Sequence, residues 1–131
     1  MIDEIEAHYK NIRSIDKSSA KLGRLMILGY GGGGFAMEDS RFTKICKVFK
    51  KRIKEFKPKK LILVVHGPPY GSKVDKLPGG YAGNSSYTKF IKEVQPDLVV
   101  CGHLHETTGK KDKIGKSLII NPGKKGMVND V

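Results

Sequence analysis

DLVVCGHLH, residues 97–105, is the stretch of sequence on which the fold prediction depends. Its apolar residues predict a buried strand that ends at Gly102, where the missing Cβ allows a ligand to approach the backbone. If the backbone stays extended, alternate side chains point to opposite faces, so His103 and His105 share one face. Paired neutral imidazoles at a strand end are typical of metal ligands, whereas a single histidine there is more often a cap or a surface residue.

A second stretch, LILVVHGPPYG at residues 61–71, has the same design. It is an apolar run that leads into His66, followed by glycine and two prolines. Ligands in open α/β sheets bind at the carboxyl ends of the strands. The sequence therefore predicts that His66, His103 and His105 meet at one edge of a sheet and bind a divalent metal.

Strands and helices alternate between these stretches. Residues 25–28 (LMIL) predict a short buried strand, and Asp39 or Ser40 can cap a helix that runs to about Lys57 before Pro58. Asn84 or Ser85 can cap a second helix, and residues 112–120 predict a hairpin. The order strand, helix, strand, helix, strand indicates a parallel α/β layer. The length of 131 residues suits a single domain, 1–131.

Three other segments are read from local pattern. Apolar residues at roughly helical spacing over residues 2–12 predict a surface helix, and the polar stretch from Ser14 to Gly23 predicts a loop. Residues 70–83, rich in glycine and proline, predict a long irregular loop. The glycine run from Gly29 to Phe35 has two readings, a phosphate cradle or a tight turn close to other backbone. It matches no phosphate-binding pattern, which favours the turn.

Composition narrows the class of protein. The formal net charge of +12 attracts anions, whether phosphorylated substrates, nucleic acid or an acidic partner. The exposed lysines predicted on the helix over residues 40–57 are either a nucleic-acid surface or a solvated face; no aromatic residues interleave them, which favours the solvated face. No apolar run is long enough to cross a membrane, and the first residues do not resemble a secretory signal. Cys46 and Cys101 indicate free buried thiols in a reducing cytoplasm, with a single disulfide as the alternative.

These motifs occur in the order His66-Gly-Pro-Pro, helix, Gly102-His103-Leu104-His105, hairpin and Asn121-Pro122-Gly123. This order resembles the calcineurin-like metallophosphoesterases, and most of all their small archaeal and bacterial members, over residues 25–126. The resemblance implies an α/β fold that is the C-terminal half of a four-layer αββα sandwich. It also implies hydrolysis of phosphate esters at two divalent metals (Mn, Zn, Fe, Ni or Co). By resemblance, His66 and His103 bind one metal and His105 the other.

The chain departs from that family in its N-terminal motifs. The family's other ligands come from Asp-x-His, Gly-Asp-x-x-Asp and Gly-Asn-His-Asp/Glu, none of which occurs here. They supply the carboxylate that bridges the metals, an asparagine ligand and a histidine that assists the leaving group. Three imidazoles can hold one zinc or similar ion, but not the pair. We expect a truncated reading frame, a split enzyme completed by another chain, or a non-catalytic remnant.

Three functions follow from these observations. The first is a metallophosphoesterase in which metal-bound hydroxide attacks phosphorus, with this chain supplying the C-terminal half of the site. The second is a non-catalytic interaction module on the same fold. The third is a basic nucleic-acid-binding domain that uses the lysine-rich helix face. The expected partners are a phosphorylated substrate and either a missing N-terminal half or a second copy of the chain, without a membrane.

Overall fold

The computed structural model describes residues 2–33 and 36–131, and in them helices alternate with strands. The elements in chain order are α1 (Ile2–His8), β1 (Ser18–Leu22), β2 (Leu25–Tyr30), α2 (Ser40–Phe56), β3 (Lys60–Val65), β4 (Lys76–Leu77), β5 (Gly80–Tyr81), α3 (Ser85–Val94), β6 (Leu98–Val100), β7 (Lys111–Ile114) and β8 (Ser117–Ile120). A 3-10 turn spans His105–Thr107.

A six-stranded sheet in the order β1-β2-β3-β6-β8-β7 forms the centre of the fold. The four inner strands β2, β3, β6 and β8 are parallel, and β1 and β7 pair antiparallel at the two edges. The predicted α/β class with a parallel layer is confirmed, as is the hairpin formed by β7 and β8. Because the inner strands run in one direction, all their carboxyl ends lie at the same edge.

Both long helices begin and end where the sequence predicts. The Asp39 carboxylate accepts a hydrogen bond from the main-chain N–H of Phe42 at 3.0 Å and caps α2. Lys57 ends α2 in the left-handed conformation, with φ 51°. The Asn84 side chain caps α3 in the same way, through the N–H of Ser86 at 2.9 Å.

Aromatic side chains from α2 and α3 make the core on one face of the sheet. Phe42 packs edge-on against Tyr87 with ring centroids 4.6 Å apart and against Phe90 at 5.6 Å. They meet fully buried sheet residues such as Leu28 and Leu63. The predicted apolar stripe of α2 (Phe42, Ile45, Cys46, Phe49, Ile53, Phe56) is buried or half-buried, and its lysines (Lys44, Lys47, Lys50, Lys51, Lys54, Lys57) are exposed.

The opposite face of the sheet is apolar and less well covered. Side chains of paired residues in neighbouring strands lie on the same face. On this face Leu98 and Ile120 are buried, and the others are half-buried (Ile27, Ile62, Val64, Val100, Leu118). The helical face, by contrast, carries fully buried residues. The sheet therefore has one closely packed face and one apolar face that is partly open to solvent.

The prediction of a loop over residues 14–23 is wrong for residues 18–22. Residues 18–22 form β1, which pairs antiparallel with β2 from Ser18↔Gly29 to Leu22↔Leu25. Main-chain bonding to a neighbouring strand decides this segment, and a polar edge strand carries little signal in its own sequence. A shorter helix than predicted is found at the N-terminus, because α1 ends at His8 and leaves Tyr9 and Ile12 exposed.

Two glycine-rich predictions are refined. A Cβ at Gly29 would collide with the main-chain oxygen of Ile15, so the run does pass close to other backbone. Gly34 and Phe35, the end of the run, lie outside the described residues. The loop over residues 70–83 contains the short pair β4 and β5.

Cys46 and Cys101 are buried and unbridged, as predicted. No helix in residues 2–33 and 36–131 has the length and apolar character needed to cross a membrane.

Candidate metal centre

Loops that follow the four parallel strands meet at one edge of the sheet. The main-chain N–H of His66, after β3, donates to the oxygen of Tyr30, the last residue of β2, at 3.2 Å. Gly102, after β6, donates to the oxygen of His66 at 2.9 Å, and Cys101 donates to Ile120 of β8 at 3.0 Å. These bonds extend the parallel pairing beyond the strands and hold the loops in register.

The structure brings His66 and His103 into direct contact. The Nε2 atom of His66 lies 2.8 Å from Nδ1 of His103, and the ring centroids are 4.6 Å apart with 53° between the planes. At this distance one nitrogen donates and the other accepts, so the two rings share one hydrogen. Imidazole nitrogens from the loops that follow β3 and β6 thus lie within hydrogen-bonding distance of each other.

His105 is placed differently from the sequence argument. β6 ends at Val100, His103 has a left-handed φ of 67°, and His105 begins the 3-10 turn. The backbone is therefore not extended here, and the prediction that alternation in a strand puts His103 and His105 on one face is wrong. The two histidines still line one cavity of about 560 Å3, together with Thr108 and Lys124.

The donor set fits one transition metal better than two. Zinc binds imidazole nitrogens at about 2.0–2.1 Å, so two ligands of one tetrahedral ion lie roughly 3.3 Å apart. The His66 and His103 nitrogens would part by about half an ångström to take an ion in place of the shared hydrogen. Within residues 2–33 and 36–131, no three His, Cys, Asp or Glu side chains are grouped to hold a metal. The pair offers two neutral nitrogens and would need further ligands.

Gly102 leaves space beside the histidine pair. A Cβ built at this position meets only the main-chain oxygen of His66, at 3.7 Å. Close packing within the chain therefore does not demand glycine at 102. The open space is in keeping with the predicted approach of a ligand at this point.

Asn121, which the sequence marks only as part of a turn, ties the histidine loop to β8. Its side chain is 2% exposed, and its Nδ2 donates to the oxygen of Leu104 at 2.8 Å and to Oγ1 of Thr107 at 3.0 Å. Its Oδ1 accepts from the N–H of Gly123 at 3.3 Å. Burial of this asparagine depends on β8 lying beside β6, which no local sequence signal reports.

Asp75 is a second buried polar residue that the sequence interpretation missed. It is fully buried and accepts main-chain hydrogen bonds from Gly71, Ser72 and Gly83 at 2.7–3.0 Å. Its carboxylate thereby closes the loop of residues 70–83 that follows His66. An aspartate in a loop rich in glycine and proline was the available signal, since short polar side chains commonly bond nearby backbone.

The ends of β2 and α3 share a buried polar cluster near the glycine run. The Tyr30 hydroxyl donates to Asp39 Oδ2 at 2.7 Å, and the Tyr87 hydroxyl donates to the oxygen of Gly32 at 2.8 Å. Burial, together with the neighbouring Asp39 carboxylate, raises the pKa of both tyrosines far above its ordinary value. Both phenols therefore stay protonated and act as structural donors.

Comparisons with known proteins agree with this architecture. The family model described as "Metallophosphoesterase, calcineurin superfamily" matches residues 1–127. One solved crystal structure is similar with a TM-score of 0.73 and 25% identity, over 92% of this chain and 49% of its own. The crystal structure of TT1561 of Thermus thermophilus is similar in fold, with a TM-score of 0.66 and 19% identity, over 93% of this chain and 54% of its own. No curated protein matches. The chain thus spans about half the length of the structures it resembles.

Proposed function

Because the chain belongs to the calcineurin superfamily of metallophosphoesterases, we propose that it is part of a metal-dependent phosphoesterase acting on a phosphomonoester or phosphodiester. The observation that carries the proposal is the contact between His66 and His103 at the carboxyl ends of two adjacent parallel strands. Two imidazoles in that position suit a divalent transition metal such as zinc, manganese, iron, nickel or cobalt.

In this proposal the chain supplies the histidine side of the site. His66 and His103 hold one metal, and His105, which lines the same cavity as His103, faces the other. Metals bound there would polarise the phosphate ester and activate water. Lys124 lines the cavity beside the histidines and supplies a positive charge for the phosphate group of the substrate. The carboxylates of the site would come from residues outside this sequence or from another chain.

Zinc titration calorimetry tests the metal site. At pH 7.5, His66→Ala, His103→Ala and His105→Ala should each weaken zinc binding, whereas His8→Ala, in α1, should not. Protons compete with metal for imidazole, which takes up a proton below about pH 6.5, so affinity should fall between pH 7.5 and 5.5. The proposed site would be contradicted if zinc affinity did not change with pH, or if His8→Ala weakened binding as much as His103→Ala does.

Activity provides a separate test. The chain alone should hydrolyse bis-p-nitrophenyl phosphate with manganese very slowly, because the bridging carboxylate is missing from its sequence. A segment encoded immediately upstream of Met1 that carries Asp-x-His and Asn-His motifs should, when co-expressed, tighten metal binding and restore activity together. Turnover of about 1 per second or more by the chain alone, lost in His103→Ala, would show that the site needs no such segment.

The open apolar face of the sheet favours a second candidate, a non-catalytic interaction module on the same fold. In that case the half-buried residues Ile27, Ile62 and Val64 bind a partner and the histidines have no metal to hold. Absence of zinc binding combined with formation of a stable complex through this face would favour it. For either function we propose a cytoplasmic location, which two free thiols support.

A further inference from the structure

We propose that Asn121 is a positioning residue that sets the conformation of the loop carrying His103 and His105. The inference rests on the proposed function in one respect, that these histidines bind the metal. Asn121 acts on them through the main chain of residue 104 and the side chain of Thr107.

The geometry places Asn121 where it can control both histidines. Leu104 lies between them in the chain, and its carbonyl oxygen accepts from Asn121 Nδ2 at 2.8 Å and from the hydroxyl of Thr107 at 3.1 Å. That oxygen cannot move without breaking bonds on both sides. The orientation of the peptide after Leu104 therefore sets where His105 begins the 3-10 turn.

The main chain of Asn121 is itself fixed by two hydrogen bonds. Its main-chain N–H donates to the oxygen of Lys110 at 3.1 Å, and its oxygen accepts from the N–H of Gly109 at 2.7 Å. The side chain thus projects from a fixed main-chain position at the end of β8 into the loop.

The loop needs such a restraint because His103 is in an unfavourable conformation. Its φ of 67° is left-handed, which crowds the Cβ of any residue except glycine against the following carbonyl. A conformation of this kind persists where the surroundings hold it. Without the bonds from Asn121 to Leu104 and Thr107, the peptide beyond His103 can relax to a more favourable conformation. The His66–His103 contact at 2.8 Å can then be lost.

The bonding pattern requires an amide. Asn121 Nδ2 uses both of its hydrogens, and Oδ1 accepts a third bond from Gly123. An aspartate of the same shape has no hydrogen to donate when ionised and would face the Leu104 oxygen with a negative charge. Asn121→Asp therefore removes the hydrogen-bond donor of the side chain while keeping its volume.

Asn84 offers a matched control. It is equally buried, at 2% exposure, but caps α3 through Oδ1, a role that aspartate fills equally well. Comparing Asn121→Asp with Asn84→Asp separates loss of the Asn121 donor from the general effect of a buried carboxylate. Thr107→Val is a milder second variant, since it removes one acceptor of Asn121 and the hydroxyl bond to Leu104.

The test measures two properties of each variant. Long-range 1H–15N spectra report the imidazole nitrogens of the metal-free protein, and zinc calorimetry reports affinity. We expect Asn121→Asp to shift the His66, His103 and His105 ring signals and to weaken zinc binding about 10- to 100-fold, as is typical of outer-shell partners. Thr107→Val should do the same to a smaller degree, and Asn84→Asp should change neither.

The outcomes separate this inference from the proposed function. A folded Asn121→Asp with wild-type ring signals and wild-type zinc affinity overturns the positioning role. If the wild-type protein binds no zinc, the proposed metal site fails, and the ring signals of the metal-free variants alone decide the role of Asn121. If Asn121→Asp does not fold, Thr107→Val decides, and unchanged ring signals in that variant overturn the inference.

Discussion

Cys46 and Cys101 illustrate how burial dominates the chemistry of a residue. Burial raises the pKa of each thiol to about 12, and for Cys101 the Asp75 carboxylate adds to the effect. The thiolate is the reactive form of cysteine, and a raised pKa keeps the thiol protonated to higher pH. Both residues therefore behave as small apolar side chains of the core.

Their raised pKa and their burial predict that the native thiols react slowly. At pH 8, Ellman's reagent should modify neither Cys46 nor Cys101 during the time in which it modifies a free cysteine, because the thiolate fraction is very low and the side chains are buried. The same protein in guanidinium chloride should release two equivalents of product at once. Rapid modification of the native protein at one site would mean that the region around it opens readily.

Capping of α2 connects the helix to the edge of the sheet that carries the candidate site. Asp39 bonds the N–H of Phe42 with Oδ1 and the hydroxyl of Tyr30, the last residue of β2, with Oδ2. One carboxylate thus starts the helix and fixes the strand end beside His66.

Asp39→Ala should lower the free energy of unfolding by roughly 2–4 kcal/mol. Loss of the cap accounts for about 1 kcal/mol, and the buried Tyr30 hydroxyl left without its acceptor accounts for roughly 1–3 kcal/mol more. Tyr30→Phe, which removes the hydroxyl but keeps the cap, is the control and should cost less. Chemical denaturation followed by circular dichroism measures the difference; an effect of Asp39→Ala no larger than that of Tyr30→Phe would contradict the double role.

Asp112 anchors the loop of residues 70–83 to β7, and this contact should depend on pH. Hydrogen bonds from the N–H groups of Lys73 and Lys113 lower the pKa of Asp112 in the folded protein. Because the pKa of Asp112 is lower in the folded than in the unfolded protein, its carboxylate stabilises the fold at pH values above the unfolded pKa of about 3.9. This stabilisation is lost as the pH falls through the folded pKa. Asp112→Asn should therefore be less stable than wild type at pH 7, and the difference should shrink toward pH 3. A difference that stays constant over this range would show that charge plays no part.

At the scale of the whole molecule, the unequal faces of the sheet are the main feature. The helical face is packed with aromatic and aliphatic side chains, while the other face presents half-buried aliphatic residues. Open apolar surface of this kind drives association.

We therefore predict that the chain associates with itself at high concentration. Ile62→Lys, on the open face, should reduce the apparent mass in light scattering, because a charge there opposes burial. Val48→Lys adds the same charge on α2, at a residue that is 42% exposed, and should have little effect. A wild-type chain that remains monomeric throughout would mean that the open face does not self-associate.

The sequence by itself determined the elements whose signal is local. Capping residues and i, i+3, i+4 apolar spacing placed α2 and α3, and short apolar runs placed β2, β3 and β6, because these patterns depend on neighbours a few positions away. The motifs around His66 and Gly102–His105 also indicated the family, which the match over residues 1–127 confirms.

The tertiary structure decided everything that depends on residues far apart in the chain. Pairing with β2 makes a strand of residues 18–22, and the position of β8 beside β6 buries Asn121 against the histidine loop. The tertiary structure also ends β6 at Val100 and gives His103 a left-handed conformation, in which it lies 2.8 Å from His66 and lines one cavity with His105. The physical reason is that hydrogen bonds between strands and loops distant in sequence fix the backbone there, and side-chain alternation describes only a backbone that remains extended.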